Sequence, residues 1–192
     1  RYAIEGVGAP ASTTAQNKAI KGSTYTDITT GISYTNRGTA ASPQWLRGDH
    51  VYESAVAQSL TGSTSETVLA TIVIPAGTLG PNGQVDVHTL WSNTNGANNK
   101  LLKVKANGTQ ISINTVSTSA SASLATRIAN RNSVSSQVGN PSGSSGAASA
   151  AVVTTAINTD TTDLTITITG TLTNIGETIT LESYRVVVTP AP

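Results

Sequence analysis

Histidine and carboxylate side chains offer the widest range of chemistry in this sequence, and they are few and scattered. Asp86 and His88 are two residues apart in the alternating stretch QVDVHTLW, so both side chains lie on one face of a strand. A carboxylate beside an imidazole suits acid–base chemistry or a small metal site, whereas the favoured interpretation is an ordinary polar strand face. His50 follows Asp49 in a stretch without such a pattern. A further hypothesis is a metal site between three copies of the chain, in which each copy contributes His88 around a symmetry axis.

The remaining patterns do not point to catalysis. Two histidines and no cysteine cannot supply an ordinary zinc site within one chain. Asp160 and Asp163 flank a loop, where aspartate commonly stabilises a turn, and they make a poor pair of carboxylates for glycoside hydrolysis. The sequence contains neither a Gly-x-Ser-x-Gly nucleophile elbow nor a phosphate-binding glycine loop. We therefore expect no enzyme activity, no cofactor and no metal, with a polysaccharide depolymerase as the enzymatic alternative.

A polar segment, residues 91–100 (WSNTNGANNK), is the first candidate for ligand binding. Asparagine supplies both hydrogen-bond donors and acceptors, and aromatic rings pack against sugar faces. These properties make Trp91, Asn93, Asn95 and Asn98 candidate residues for binding a glycan. The favoured alternative is a strand end followed by an Asn-Gly turn, with Trp91 in the core.

The composition predicts which elements position these residues. The 192 residues include no Phe, Met or Cys, and only 11% are charged. The apolar residues are therefore mainly Val, Ile, Leu and Ala, and the β-branched ones favour strands. A net charge of +1 without a basic stripe argues against binding to nucleic acid. No run of 18 apolar residues is present, so no transmembrane span is expected.

Residues 22–46 predict a small β-hairpin. Gly31 lies between two short runs and permits the positive φ that a tight turn requires. Tyr25 and Tyr34 lie on the two predicted strands, and Trp45 follows a proline-stiffened exit.

About eight short strands follow from residue 66. Asn107-Gly108 between alternating runs is a strong signal for a two-residue hairpin. In the last strand, Ile179 and Tyr184 belong to apolar sets of opposite parity, which predicts a β-bulge near residues 182–183; a strand buried on both faces is the open alternative.

We predict an all-β fold with two parts. Residues 66–192 form an eight-stranded jelly-roll-like β-sandwich. Residues 1–65 precede it as an extended N-terminal arm (residues 1–21), the small hairpin and a linker with room for one more strand at residues 51–57. A disordered terminus is the open alternative for residues 1–21.

Four segments resemble, in order and spacing, a domain found at the C-termini of tail-fibre and other virion surface proteins of tailed bacteriophages. They are residues 74–84, 91–109, 127–139 and 164–190. The hairpin resembles a second phage-protein segment, which has the form Gly-x-x-Tyr-x-Asp, a Gly turn, Tyr and a Pro-x-Trp exit, and which recurs near the start of virion proteins.

The resemblance implies a β-rich homotrimer on the virion surface, without catalytic activity. Only about 65 residues precede the resembling domain, which favours a capsid decoration (cement) protein or short head fibre over a full tail fibre. The arm and hairpin would then contact the major capsid protein or a neighbouring subunit, with Tyr25, Tyr34 and Trp45 as candidate attachment residues. The alternative is a receptor-binding tail tip that recognises a host cell-surface glycan.

Overall fold

The computed structural model describes residues 2–48, 50–143 and 149–191, and all regular structure in these residues is β-strand. The chain divides into two compact units, Arg1–Val51 and Tyr52–Pro192. From the sequence we predicted this boundary after residue 65. The boundary lies earlier because the predicted linker contains two short strands that join a sheet of the second unit.

The first unit contains a four-stranded sheet in the order β1-β2-β3-β4. Its strands are β1 (Ala3–Gly6), β2 (Thr24–Asp27), β3 (Ser33–Asn36) and β4 (Trp45–Arg47). Strands β2 and β3 form the predicted hairpin, in which Tyr25 lies opposite Tyr34. Gly31 has a φ of 73°, as the turn requires.

The prediction of an extended arm over residues 1–21 is wrong for its described residues. Strand β1 pairs in parallel with β2, so that Ala3 lies opposite Thr24. The Tyr2 N–H donates to Ser23 Oγ at 3.1 Å, and the side chain of Asn36 donates to the Ala19 carbonyl. A four-residue strand that pairs with residues about twenty positions later leaves no periodicity in the sequence, and this explains the error.

The second unit contains eleven strands in the described part of the chain. They are β5 (Val51–Ser54), which begins at the boundary, β6 (Gln58–Thr61), β7 (Thr67–Ile74), β8 (Gln84–Asn93), β9 (Lys100–Ala106), β10 (Thr109–Val116), β11 (Ser121–Asn130), β12 (Gln137–Gly139), β13 (Val153–Thr155), β14 (Leu164–Leu172) and β15 (Thr178–Thr189). One sheet has the order β10-β9-β14-β7. The other has the order β13-β12-β11-β8-β15-β5, and β6 also pairs with β15.

A single hydrophobic core joins the two sheets of this unit. The sheet β10-β9-β14-β7 contributes side chains such as Val104 and Ile166 to this core. The larger sheet contributes side chains such as Val87 and Val186. The unit is therefore a β-sandwich, as predicted. Nine described strands follow residue 66, where the sequence predicted eight. The additional element is β12, a strand of three residues. Residues 144–148, between β12 and β13, lie outside the described residues.

The predicted β-bulge is confirmed in β15. Leu181 pairs with Trp91 on β8. Ser183 pairs with Leu90, the adjacent residue on β8, so Glu182 is the extra residue. Because one residue is inserted, the inward side chains on both sides of the bulge reach the same core. They are Ile179, Leu181, Val186 and Val188.

Strand β7 is less buried than its sequence suggests. Its near-continuous apolar run, TVLATIVI, is typical of a buried strand, but Val68 and Val73 are exposed. Ile72 and Ile74 face the core, and β7 forms an edge of the four-stranded sheet. An apolar run does not reveal whether a second layer covers its other face.

The hairpin between β9 and β10 has the predicted two-residue turn. Asn107 and Gly108 have φ values of 44° and 83°, the positive pair that this class of turn requires. Beyond the turn, the register shifts between Gln110 and Ser112, so β10 also carries an irregularity.

On the outer face of the sheet β10-β9-β14-β7, one carboxylate forms ion pairs with two lysines of β9. The ammonium groups of Lys103 and Lys105 each lie 2.7 Å from a different oxygen of Glu66. The Thr169 hydroxyl donates to Glu66 Oε1 at 3.0 Å. These donors, Lys103 first and then Lys105, lower the pKa of Glu66 to about 2.

We predict that the contribution of Glu66 to stability depends on pH. A lowered folded-state pKa stabilises the protein above the ordinary pKa of 4.5, and this stabilisation is lost as pH falls towards about 2. Glu66→Gln should therefore lower the melting temperature at pH 7, and its difference from wild type should close at acid pH. Melting is followed by Trp91 fluorescence in a Trp45→Phe background. Glu53→Gln, in an exposed pair, is the control; a Glu66→Gln difference that stays constant from pH 7 to pH 2 contradicts the prediction.

Candidate functional site

The predicted attachment residues form the core of the first unit. Tyr25 and Tyr34 are only 5% and 8% exposed. The Tyr25 ring packs edge-on against Tyr34, with centroids 6.2 Å apart, and lies 5.9 Å from the Trp45 ring. The half-buried Trp45 donates through Nε1 to the Thr14 carbonyl at 3.3 Å. The structure therefore assigns these rings a packing role, and the two tyrosines are not available as contact residues on the surface of this unit.

Asp27 is a structural centre that the sequence analysis missed. Its side chain accepts hydrogen bonds from the Gly8 N–H at 2.9 Å, the Thr29 N–H at 2.9 Å and the Thr30 hydroxyl at 2.7 Å. The Thr30 hydroxyl is the largest cause of a lowered pKa at Asp27, and the two backbone N–H groups add to it. The carboxylate thus fixes the hairpin turn and joins it to the segment after β1. Its position three residues before Thr30 was the available signal.

The predicted glycan-binding residues do not form one surface. Trp91 is 1% exposed and donates to Thr89 Oγ1 at 2.8 Å, as the alternative interpretation expected. Asn93 is half-buried and its side-chain amide donates to the Ser119 carbonyl. Asn95 and Asn98 are exposed in the loop that follows β8. No aromatic ring of the predicted set is thus available to stack on a sugar beside the two exposed asparagines.

A buried ion pair fixes this loop. Lys100 is fully buried, and its ammonium lies 3.1 Å from Glu177 Oε2. The same ammonium donates to the Asn98 carbonyl at 2.8 Å and to the Gly96 carbonyl at 3.3 Å. Lys100 shares the parity of Leu102 on β9, so a charged residue at an inward position was the signal in the sequence.

The loop leaves little free space beside this ion pair. A Cβ atom on Gly96 would collide with the carboxylate of Glu177. The loop backbone therefore lies directly against the carboxylate, and the ammonium supplies the donors that its carbonyls require.

Asp86 and His88 do not form the acid–base pair that their spacing allowed. His88 and Asp86 both face outward on β8, but Arg127 engages both oxygens of Asp86, through Nε at 2.7 Å and Nη2 at 3.2 Å. Asp49, the neighbour of His50, lies outside the described residues. Across residues 2–48, 50–143 and 149–191, no three His, Cys, Asp or Glu side chains cluster as metal ligands would. The same residues contain no helix with the length and apolar character needed to span a membrane.

An open groove of about 470 Å³ lies on the outer face of the larger sheet. One row of its lining is His88 on β8, which pairs with Arg185 on β15. The next row places Leu90 between Ser123 and Ser183. This groove was not predicted because its rows join positions up to about a hundred residues apart in the sequence.

Strand β5 contributes one wall of the groove. Glu53 and Ala55, at the end of this strand and just after it, both line the cavity. Glu53 Oε2 lies 3.6 Å from Arg185 Nε, and both side chains are about 60% exposed, at 63% and 60%. At this distance the two groups form an ion pair but not a direct hydrogen bond.

Comparisons with known proteins give no family for this chain. No protein-family model matches the sequence, and no curated protein matches it. Among solved structures, the chain is similar to dimeric latent PorU from Porphyromonas gingivalis, with a TM-score of 0.35 and 12% sequence identity. The similarity covers 73% of this chain and 13% of the PorU chain. A likeness at this level carries no argument about function.

We predict that Lys100 is essential for stability in the second unit. Lys100→Met leaves the buried carboxylate of Glu177 without its counter-charge, which costs about 3–5 kcal/mol of unfolding free energy. The double variant Lys100→Met/Glu177→Gln should recover part of this loss. Urea unfolding followed by Trp91 fluorescence in the Trp45→Phe background measures both. Arg185→Met, in the exposed pair with Glu53, is the matched control, and a Lys100→Met variant as stable as this control contradicts the prediction.

Proposed function

We propose that this chain is a non-enzymatic structural protein on the surface of a tailed bacteriophage virion. The observation that carries the proposal is the resemblance of four ordered segments between residues 66 and 190 to a phage virion surface domain. In the structure these segments fall within the sandwich of the second unit. We further propose a homotrimer that acts as a capsid decoration protein or short head fibre.

In this proposal the first unit attaches the protein to the major capsid protein. This attachment role is supported by the fact that residues 1–51 form a separate compact unit with its own aromatic core. Because the tyrosines are buried, attachment falls to the outer side chains of the unit. Lys21 and Arg37 line a notch of about 410 Å³ beside Thr35. Residues 1–51 carry five Lys and Arg against three Asp and Glu, so the unit suits an acidic partner surface.

The second unit suits close packing among copies. It carries six Lys and Arg against seven Asp and Glu. Most of these cations have a carboxylate partner within the unit, as in Lys100–Glu177, Lys103–Glu66 and Arg127–Asp86. Charges that are paired within one copy leave little long-range repulsion between neighbouring copies on a shell.

Two measurements test the proposal with the full chain. Light scattering should give a mass about three times the chain mass of 19.5 kDa. Phage shells that lack the protein should bind it, and Lys21→Glu/Arg37→Glu should weaken binding about tenfold or more. The control Arg131→Glu/Arg185→Glu makes the same charge change in the second unit and should bind as wild type.

A truncated chain tests the attachment role of the first unit separately. Residues 52–192 alone, once circular dichroism shows that they are folded, should leave shells bare. Full occupancy by this fragment, or equal loss of binding in both charge-reversal variants, contradicts the assignment. Binding confined to tail tips favours the receptor-binding alternative.

A further inference from the structure

We propose that the groove on the outer face of the larger sheet is a binding site for a neutral saccharide. The groove is lined by residues of β5, β8, β11 and β15, with Ala55 just after β5, and has a volume of about 470 Å³. Small-molecule sites typically have volumes of about 300–1,000 Å³. This inference goes beyond the attachment role, and it differs from the predicted glycan loop because none of the residues 91–98 lines the groove.

The floor of the groove is apolar at its centre. Leu90 is 47% exposed although it lies on β8, which has a paired strand on each side. Ala55 adds a second apolar side chain to the lining. A pyranose presents one face of C–H groups, and an exposed aliphatic patch within a polar rim is the complementary surface.

The rim supplies donors and acceptors on both sides of that floor. Ser123 and Ser183 flank Leu90 directly, because the strand register places all three in one row. Each hydroxyl donates one hydrogen bond and accepts others. In the adjacent row, His88 and Arg185 are direct cross-strand neighbours. This alternation of hydroxyl, imidazole and guanidinium matches a ligand with several hydroxyl groups.

The charge balance of the groove favours a neutral ligand over an acidic one. Arg185 and Glu53 carry opposite charges and lie 3.6 Å apart, so they cancel each other while making no direct hydrogen bond. An exposed pair of this kind contributes little to stability. The guanidinium therefore retains donors, and the carboxylate retains acceptors, for vicinal hydroxyls of one sugar ring.

The site is preformed by the sheet. The lining residues of β8, β11 and β15 lie on strands that pair over nine or ten residues of β8. Side chains on a paired sheet hold their spacing without a ligand, so little ordering entropy opposes binding.

The test is a titration of the full-length protein with glucose, galactose, mannose and N-acetylglucosamine, followed by amide NMR shifts. We expect saturable shifts at Leu90, Ser123, Ser183 and Arg185 with at least one of these sugars at millimolar concentrations. Arg185→Ala should weaken binding about tenfold, because it removes charge-assisted hydrogen bonds. Leu90→Ser should weaken it through loss of the apolar floor.

Two variants control for general effects. Arg131→Ala removes an exposed arginine elsewhere in the unit, and Val73→Ser removes a side chain that is, like Leu90, 47% exposed. Both should bind the sugar as wild type does. The proposal is overturned if no neutral sugar gives saturable shifts in the groove, if only sodium glucuronate does, or if Arg185→Ala and Leu90→Ser bind normally. None of these outcomes depends on the virion role, because no particle is used.

Discussion

The sandwich depends on keeping aliphatic side chains from two sheets within one shared layer. The sequence has no Phe or Met to fill gaps between strands, so Val, Ile, Leu and one buried Trp must meet closely. A strand alternates its faces with a period of two, and one misplaced residue would turn the following side chains outward. Strand β15 meets this constraint with an extra residue at Glu182, and register shifts also occur in β10 and between β7 and β14. These irregularities position the core, and the outward residues beside it, in one consistent register.

Most of the ion pairs in the second unit connect neighbouring strands or fix a loop. Glu66 joins two lysines across the outer face of one sheet, and Arg127 engages both oxygens of Asp86 on the other. Lys100 is buried at the start of β9, where the loop after β8 crosses from the larger sheet to the other sheet of the sandwich. Arg185 and Glu53 differ from these because their pair is longer and largely exposed. Because this pair makes no direct hydrogen bond, both of its groups retain hydrogen-bonding capacity in the groove.

Local signals in the sequence predicted the local structure well. The Asn107-Gly108 turn and the parity change before Tyr184 each specify a conformation within a few residues. Features that depend on distant partners were not predictable in the same way. Strand β1 pairs with residues about twenty positions later in the sequence. For aromatic residues on a four-residue strand, such as Tyr25 and Tyr34, the sequence does not distinguish a core position from a contact surface. The groove joins β5, β8, β11 and β15, and no local pattern indicates which of these strands become neighbours.

The central proposal is that the first unit attaches this protein to a phage head. Cryo-EM of intact particles tests it most directly, because the two units differ in size and are distinguishable in density. The account predicts density for the protein at symmetry-related positions on the head, with the four-stranded first unit against the shell. Density confined to the tail end, or a sandwich that contacts the shell while the first unit points outward, would contradict it.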